Sequence, residues 1–509
     1  MDNEHATMTL APLDSHNKTL IANTHPPRWA NPRPLIRYNL VVIGAGTAGL
    51  VTAAGAAGLG AKVALVERGY MGGDCLNAGC VPSKAVIRSS RAAAEIRDAE
   101  RFGIRVPAGT RADFGAVMQR MRRLRSGISI HDSAKRFSEE LGVHVFFGEG
   151  KFAGPSSIEV DGAILRFKKA VIATGARPVV PPIEGLSESG YLTNESIFNL
   201  TERPDHLVVV GGGPIGCELA QAFRRLGSRV TVIEMAPQFL IREDADAADI
   251  LARAFRTEGI DILLGTGVKK ITTERGKTLV HVQKEGTSSV IRGDALLMGV
   301  GRAPETKGLN LEAAGVAYDR TGVIVNDLLQ TTNTNIYAAG DVAMMYKFTH
   351  AADAAARIVI QNALFLGRKR LSSLTVPWTT YTDPEIAHVG MYERDAHERG
   401  IAVETFRRDF SDVDRPVLDG QEDGFVKVHV KKGTDRILGA TIVAAHAGEM
   451  ISEITLAIVS GIGLGRIASV IHPYPTQAEA VRQLGDAYNR TRLTPAVKRA
   501  FEWWLKWTR

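Results

Sequence analysis

Two glycine-rich turns constrain this chain more than any other feature. They are Gly44-Ala45-Gly46-Thr47-Ala48-Gly49 and Gly211-Gly212-Gly213-Pro214-Ile215-Gly216. Each has GxGxxG spacing. Each follows an apolar run, Tyr38 to Ile43 or His206 to Val210, and opens a helical pattern. Another apolar run then ends in an acid: Lys62 to Val66 before Glu67, and Arg229 to Ile233 before Glu234. The glycines permit a tight turn, close passage of a pyrophosphate, and close packing of helix on strand; the acid accepts from a ribose. Both acids follow their last glycine at the same spacing. The duplication implies two dinucleotides held by two Rossmann-like domains of an α/β chain.

Between the turns lies Gly72-Gly73-Asp74-Cys75-Leu76-Asn77-Ala78-Gly79-Cys80-Val81-Pro82-Ser83-Lys84, with two of the chain's three cysteines. Thiols this near in sequence can close into a disulfide within one turn of backbone. The glycines around them pack poorly as core but let backbone approach a flat ligand. Pro82 suits a first helical turn, which places the pair at or near a helix N-terminus. There the helix dipole and Lys84 favour thiolate. Asp74 opposes this at Cys75 through like-charge repulsion. The segment reads as a redox-active dithiol against a cofactor. Cys217, on the helix after the second turn, reads as core.

With these residues the chain resembles the flavin-dependent pyridine nucleotide–disulfide oxidoreductases, a family that includes dihydrolipoamide dehydrogenase, glutathione reductase and mercuric reductase. The resemblance covers roughly residues 38 to 488. It implies FAD on Gly44, Gly46, Gly49 and Glu67, and a nicotinamide cofactor on Gly211, Gly213, Gly216 and Glu234. Hydride then passes from NAD(P)H through flavin to a Cys75–Cys80 disulfide and on to an acceptor. Cys75 exchanges with substrate, and Cys80 is the thiolate against the flavin. Gly73 belongs to the flavin-binding set, and Lys84 pairs with Glu218 beside the flavin. Thr174-Gly175 marks the exit from the flavin domain, and Gly301-Arg302-Ala303-Pro304 the return. Asp341, after Gly340, holds the ribityl chain, and Thr349-His350 opens a helix along the flavin ring. Glu234 suits a free 2′-hydroxyl and repels a 2′-phosphate, favouring NADH over NADPH. Arg242, nearby in sequence, keeps NADPH open.

The acceptor end departs from the pattern. In dihydrolipoamide dehydrogenase and glutathione reductase a catalytic histidine stands before Pro-Thr, with a glutamate after it. Here Ile471-His472-Pro473-Tyr474-Pro475-Thr476 puts Tyr474 in that place, while Glu479 keeps its offset. Tyrosine titrates near ~10 against ~6.5 for histidine, so it is no proton shuttle at neutral pH. His472 is the substitute to consider. Tyrosine here is similar to mercuric reductase, yet no cysteine follows Cys217 and no cysteine precedes Cys75. The expected chemistry is mercuric-reductase-like without a C-terminal cysteine pair. The alternatives are a dihydrolipoamide dehydrogenase-like disulfide reductase, and a quinone-reducing or redox-sensing flavoprotein docked to a membrane partner. The acceptor is then a small molecule or a metal ion; no resident metal site is read.

The expected organisation is an irregular N-terminal arm (1–36), a discontinuous FAD domain (37–185 and 305–372), an NAD(P) domain (186–304), a dimerisation domain (373–490) and a basic C-terminal helix (491–509). Residues 88–141 read as two helices inserted in the FAD domain. A homodimer follows from the resemblance. No uncharged apolar run approaches the roughly 20 residues of a spanning helix. No secretory leader is read, and three cysteines fit a reducing cytoplasm. The net charge of +7 is concentrated at the end, where Arg490, Arg492, Lys498, Arg499, Lys506 and Arg509 face one acid, Glu502. The body is nearly neutral, so the net charge does not argue for nucleic-acid binding by it, and no nucleic-acid partner is expected. Three of five tryptophans lie on this basic helix. It reads either as docked on the dimer or as a peripheral membrane contact through 494–509.

Overall fold

Val, Ile and Leu runs without alternation make strands that are buried on both faces. Tyr38–Ile43 is such a strand, at the centre of a seven-stranded sheet. It pairs in parallel with Val63–Glu67 on one side and Ala163–Ile172 on the other. His144–Phe147 extends the first side. Ile336–Ala338 returns much later in the chain to pair in parallel with Ala163–Ile172. Beneath them, Tyr38, Val41, Phe146, Phe152, Phe167 and Ile336 form one apolar core. The computed structural model describes residues 8–509.

Seven helices or helical turns of this first unit matter for the site. They are α1 (Ser15–Thr24), α2 (Thr47–Gly58), α3 (Gly73–Asn77), α4 (Cys80–Arg97), α5 (Phe114–Ile128), α6 (Pro214–Arg225) and, after α7 below, α8 (Thr349–Leu364). The four-stranded parallel sheet built on His206–Val210 and Arg229–Glu234 carries α6 as the first sheet carries α2. A Cβ on Gly49 would lie 1.8 Å from the Gly44 carbonyl oxygen, and one on Gly216 1.9 Å from that of Gly211. Only glycine allows either helix to start so close to its strand. The chain leaves the first sheet through Ala176–Pro178 and returns through Arg302–Pro304, and these two segments pair as an antiparallel ribbon.

Three expectations need correction. The N-terminal arm is not irregular where it is described. Asp14 caps α1 by accepting from the Asn17 N–H at 2.9 Å. Leu10 and Leu20 bury against Leu76. The helix hides from periodicity because two of its three buried residues, Asn17, Leu20 and Thr24, are polar. Second, the first of the inserted helices begins at Cys80 itself, not near Arg88. Third, residues 186–304 are not one block: Gln238–Thr257, with α7 (Ala245–Thr257), groups with Thr375–Arg509. Within that second unit Glu243 accepts from Trp378 Nε1 at 2.8 Å and from the Tyr392 hydroxyl at 2.6 Å. Lys427 bridges Asp244 and Asp246 at 2.7 and 3.0 Å.

The second unit is a five-stranded antiparallel sheet in the order Trp378–Thr380, Glu385–Gly390, Ile437–Ala444, Phe425–Lys431, Val403–Asp409. Helices Ala447–Val459 and Glu479–Thr491 cover its apolar face through Met450, Ile454, Val481 and Leu484.

Candidate active site

The two thiols sit on consecutive helical turns. Cys75 is in α3 and Cys80 is the first residue of α4, behind the N-cap Gly79. A Cβ at Gly79 would lie 2.8 Å from the Asp74 carbonyl oxygen and 3.4 Å from Cys75 Cα, so a side chain there would push the turns apart. Both cysteines are free thiols, Cys75 partly buried and Cys80 exposed. The Cys75 thiol donates to Cys80 sulfur. That bond, the Thr349 hydroxyl 3.5 Å from Cys80 Sγ, and the Lys84 ammonium draw the Cys80 thiol down to about 6 against the opposing effect of burial. The same shared bond, together with burial, pushes Cys75 up. Cys80 is therefore the thiolate and Cys75 keeps the proton.

Lys84 Nζ lies 2.8 Å from Glu218 Oε2, linking α4 to α6. The ammonium stabilises the Cys80 thiolate and the carboxylate opposes it. Asp74 does not act on Cys75 as expected. Its carboxylate binds the Arg302 guanidinium at 2.8 Å and accepts from Asn194 at 3.1 Å. The carboxylate that raises Cys75 is Asp132, in the inserted helical region. Nothing local in the sequence marks Asp132, which acts on Cys75 from the inserted helical region, or Arg125, which donates to the Asn77 carbonyl between the two thiols at 2.7 Å. Thr349 belongs to the Thr349-His350 pair already read as opening a helix along the flavin.

Around the first fingerprint, Glu67 accepts from the Ala45 N–H at 2.6 Å and the Gly69 N–H at 2.7 Å. Around the second, Glu234 accepts from Gly212 at 2.6 Å and Ala236 at 2.7 Å. Each acid thus ties down its own glycine turn, a role beyond the expected ribose contact. Thr174 donates to the Glu305 carbonyl at 2.6 Å, beside Gly175. Gly301 accepts from the Val179 N–H at 2.9 Å. Asp341, after Gly340, lies 3.6 Å from Arg302 Nε, and burial pushes its carboxyl up despite that cation. His350, in the first turn of α8, stacks on Phe348. Cys217 is buried and donates to the Gly212 carbonyl at 3.3 Å, as core.

These residues fit the two nucleotides. The middle glycines face open space: a Cβ on Gly213 would meet nothing within 4 Å, and one on Gly46 only Gly73 Cα at 3.8 Å. That is the gap a pyrophosphate needs at a helix N-terminus. A cleft opens beside Gly44, Glu67, Arg68, Thr174 and Lys307.

The acceptor-end residues belong to the second unit. The Tyr474 hydroxyl donates to Asp414 at 2.8 Å, and that carboxylate raises the phenol further; the side chain is 70% exposed. His472 does not offer a free imidazole. Its Nε2 lies 2.9 Å from Glu453 and its Nδ1 3.1 Å from the Val470 carbonyl, with 6% of the side chain exposed. Glu479 is bound by Arg482 at 3.1 Å, which also holds Asp486.

Residues 38–356 match the pyridine nucleotide-disulphide oxidoreductase family, and residues 376–484 match its dimerisation domain. The chain belongs to this family. It is 35% identical over 446 residues to a mercuric reductase of Staphylococcus aureus, covering 87% of this chain and 81% of that one. It is 34% identical over 467 residues to a dihydrolipoyl dehydrogenase of Thermus scotoductus, covering 89% and 98%. Among solved structures it is similar to the HOCl-induced flavoprotein disulfide reductase RclA of Escherichia coli in its Cu(II) complex, with a TM-score of 0.78, 30% identity, and coverage of 87% and 98%. The chain is an NAD(P)H-dependent FAD disulfide oxidoreductase of mixed α/β fold. Its dimerisation domain supports a homodimer. No described helix is long and apolar enough to cross a membrane.

Proposed function

We propose that this enzyme delivers electrons from NADH to a soft metal ion, using Cys75 and Cys80 as the thiols that meet it. Bound FAD supplies two-electron exchange between nicotinamide and a thiol pair. The protein's part is to hold Cys80 as thiolate through Lys84, to keep the proton on Cys75, and to position both with Gly79 and Arg125. The observation that carries the acceptor class is the engagement of His472 by Glu453, with tyrosine at 474. Oxidising or reducing a dithiol substrate moves a proton at each sulfur, and losing the general acid–base typically costs about 10²–10⁴-fold. A thiophilic ion needs no such relay and binds soft sulfur ligands well. The mercuric reductase similarity and the copper complex of RclA agree with this class. Glu234 favours NADH. The dimer works in a reducing cytoplasm, consistent with so few cysteines.

The test is an acceptor panel on the purified FAD enzyme: mercuric and cupric ions, lipoamide, glutathione disulfide and a quinone, each with NADH and NADPH. Metal-ion reduction lost in both Cys75→Ser and Cys80→Ser supports the reading. Faster turnover of lipoamide than of either ion overturns it in favour of the disulfide reductase.

A further inference from the structure

We propose that the helix Pro495–Trp507 seats the enzyme on the surface of an anionic lipid bilayer. Thr494 caps this helix, accepting from the Val497 N–H, and Pro495 is its first residue. No residue of the helix is buried. The preceding helix, Glu479–Thr491, differs: it buries Ala480, Val481 and Leu484. Phe501 is 54% exposed, Trp503 68%, Trp504 53%, Leu505 64% and Trp507 70%. A soluble surface does not ordinarily carry so many large apolar side chains together.

Helical spacing sorts the large apolar and the charged side chains onto separate arcs. At about 100° per residue, Trp503, Trp507, Ala500, Trp504, Val497, Phe501 and Leu505 fill one arc. Lys498, Glu502, Lys506 and Arg499 fill the other, with Pro495 among them. The cations lie at both margins of the apolar arc. Lys498 adjoins Leu505 at one margin; Arg499, with Lys506 next to it, adjoins Trp503 at the other. Basic stems at such margins run along apolar surface and lift their charges to a phosphate layer. Tryptophan prefers the same depth, where ring and N–H are both satisfied. At 13 residues the helix is too short to span, so it lies in the interface plane.

Charge selects the bilayer over a second copy of this helix. Two copies joined by their apolar faces would bring cationic margins against cationic margins. An anionic lipid surface meets both margins at once. Arg490 and Arg492, also exposed, extend the same sign just before the helix.

The experiment is co-sedimentation of the full-length FAD enzyme with vesicles of phosphatidylglycerol and phosphatidylcholine in equal parts, and of phosphatidylcholine alone. The enzyme should pellet with the anionic vesicles, with a blue shift in tryptophan emission. Binding should release at roughly 1 M salt, where screening shortens to roughly 3 Å. Lys498→Glu/Arg499→Glu/Lys506→Glu should weaken it on the order of a hundredfold or more. A chain ending at Arg492 should stay dimeric by light scattering and lose binding entirely. Equal pelleting of both chains, or no preference for anionic lipid, overturns the proposal. So does loss of the dimer in the shorter chain, which would assign the helix to the partner subunit.

Discussion

The Arg125 guanidinium donates to the Asn77 carbonyl at 2.7 Å and to Asn17 Oδ1 at 2.8 Å. One buried cation therefore joins the turn between the two thiols to the N-terminal helix. Burial holds Arg125 down to about 10. Asn77 completes the turn, donating from its amide to the Met71 and Gly73 carbonyls. Arg122, one helical turn before Arg125, clasps Asp14 at 2.6 Å.

Arg125→Met leaves two buried acceptors without a donor. At about 1–3 kcal/mol each, the variant should lose roughly 2–6 kcal/mol in urea unfolding. Cys75 should also react faster with a thiol reagent, because its turn is loosened. Unchanged stability and unchanged Cys75 reactivity would refute the clasp.

The Lys84–Glu218 pair makes a prediction of opposite signs. In the reduced enzyme, the alkylation rate of Cys80 should rise with pH around a midpoint of about 6. Lys84→Met removes the stabilising cation and should raise that midpoint by roughly one to two units. Glu218→Gln removes the opposing carboxylate and should lower it. Mass mapping of labelled Cys75 and Cys80 across pH reads both. Shifts in the same direction would sink the electrostatic account.

Acid should loosen the dimerisation unit. Burial holds His388 down to about 3. Its ring stacks on Tyr392 at 3.6 Å and shares a hydrogen bond with Thr441 at 2.9 Å. Unfolded histidine titrates near ~6.5, so between these values the unfolded chain binds the extra proton. Stability is complete above about pH 6.5 and falls as pH drops toward 3. At pH 5 this one group costs about 2 kcal/mol. Urea midpoints at pH 5 and 7.5 should show it, and His388→Gln should flatten the difference.

Glu234→Gln keeps one acceptor for the Gly212 turn and removes the charge. The ratio of kcat/KM for NADPH to that for NADH should rise by roughly tenfold, about 1.4 kcal/mol. Stopped-flow reduction with each cofactor measures it. A wild-type preference for NADPH would show that Glu234 does not set the choice.

Much of this was legible in the chain. The fingerprints, with Glu67 and Glu234, announce themselves because backbone geometry dictates residue type at fixed spacing. Cys75 and Cys80 are legible for the same local reason, and so is the final helix, whose two faces differ so sharply. What stayed hidden is held by long-range polar contacts. Helix α1 buries Asn17 and Thr24, so no apolar rhythm marks it. Arg125 and Asp132 look like ordinary charges on an inserted helical region until the fold brings them to the thiol turn. Asp74 was read by its neighbour in sequence, whereas Arg302, far along the chain, decides where its charge goes. His472 is in sequence only the nearest substitute for the missing histidine, and Glu453 claims it in space.

The ribbon of Ala176–Pro178 against Arg302–Pro304 has a modular consequence. The stretch between them, which carries the second fingerprint and also the α7 segment that groups with the second unit, begins and ends at adjacent points, so to the flavin sheet it is a closed ring hung from a clasp. Loop-closure entropy depends only weakly on what length the ring has. Replacing the whole stretch by a short turn would leave Ile336–Ala338 free to reach Ala163–Ile172 as before. The shortened chain would keep the first fingerprint and the thiol turn, but it would lose Glu218, and with it both the Lys84 counter-ion and the way in for electrons.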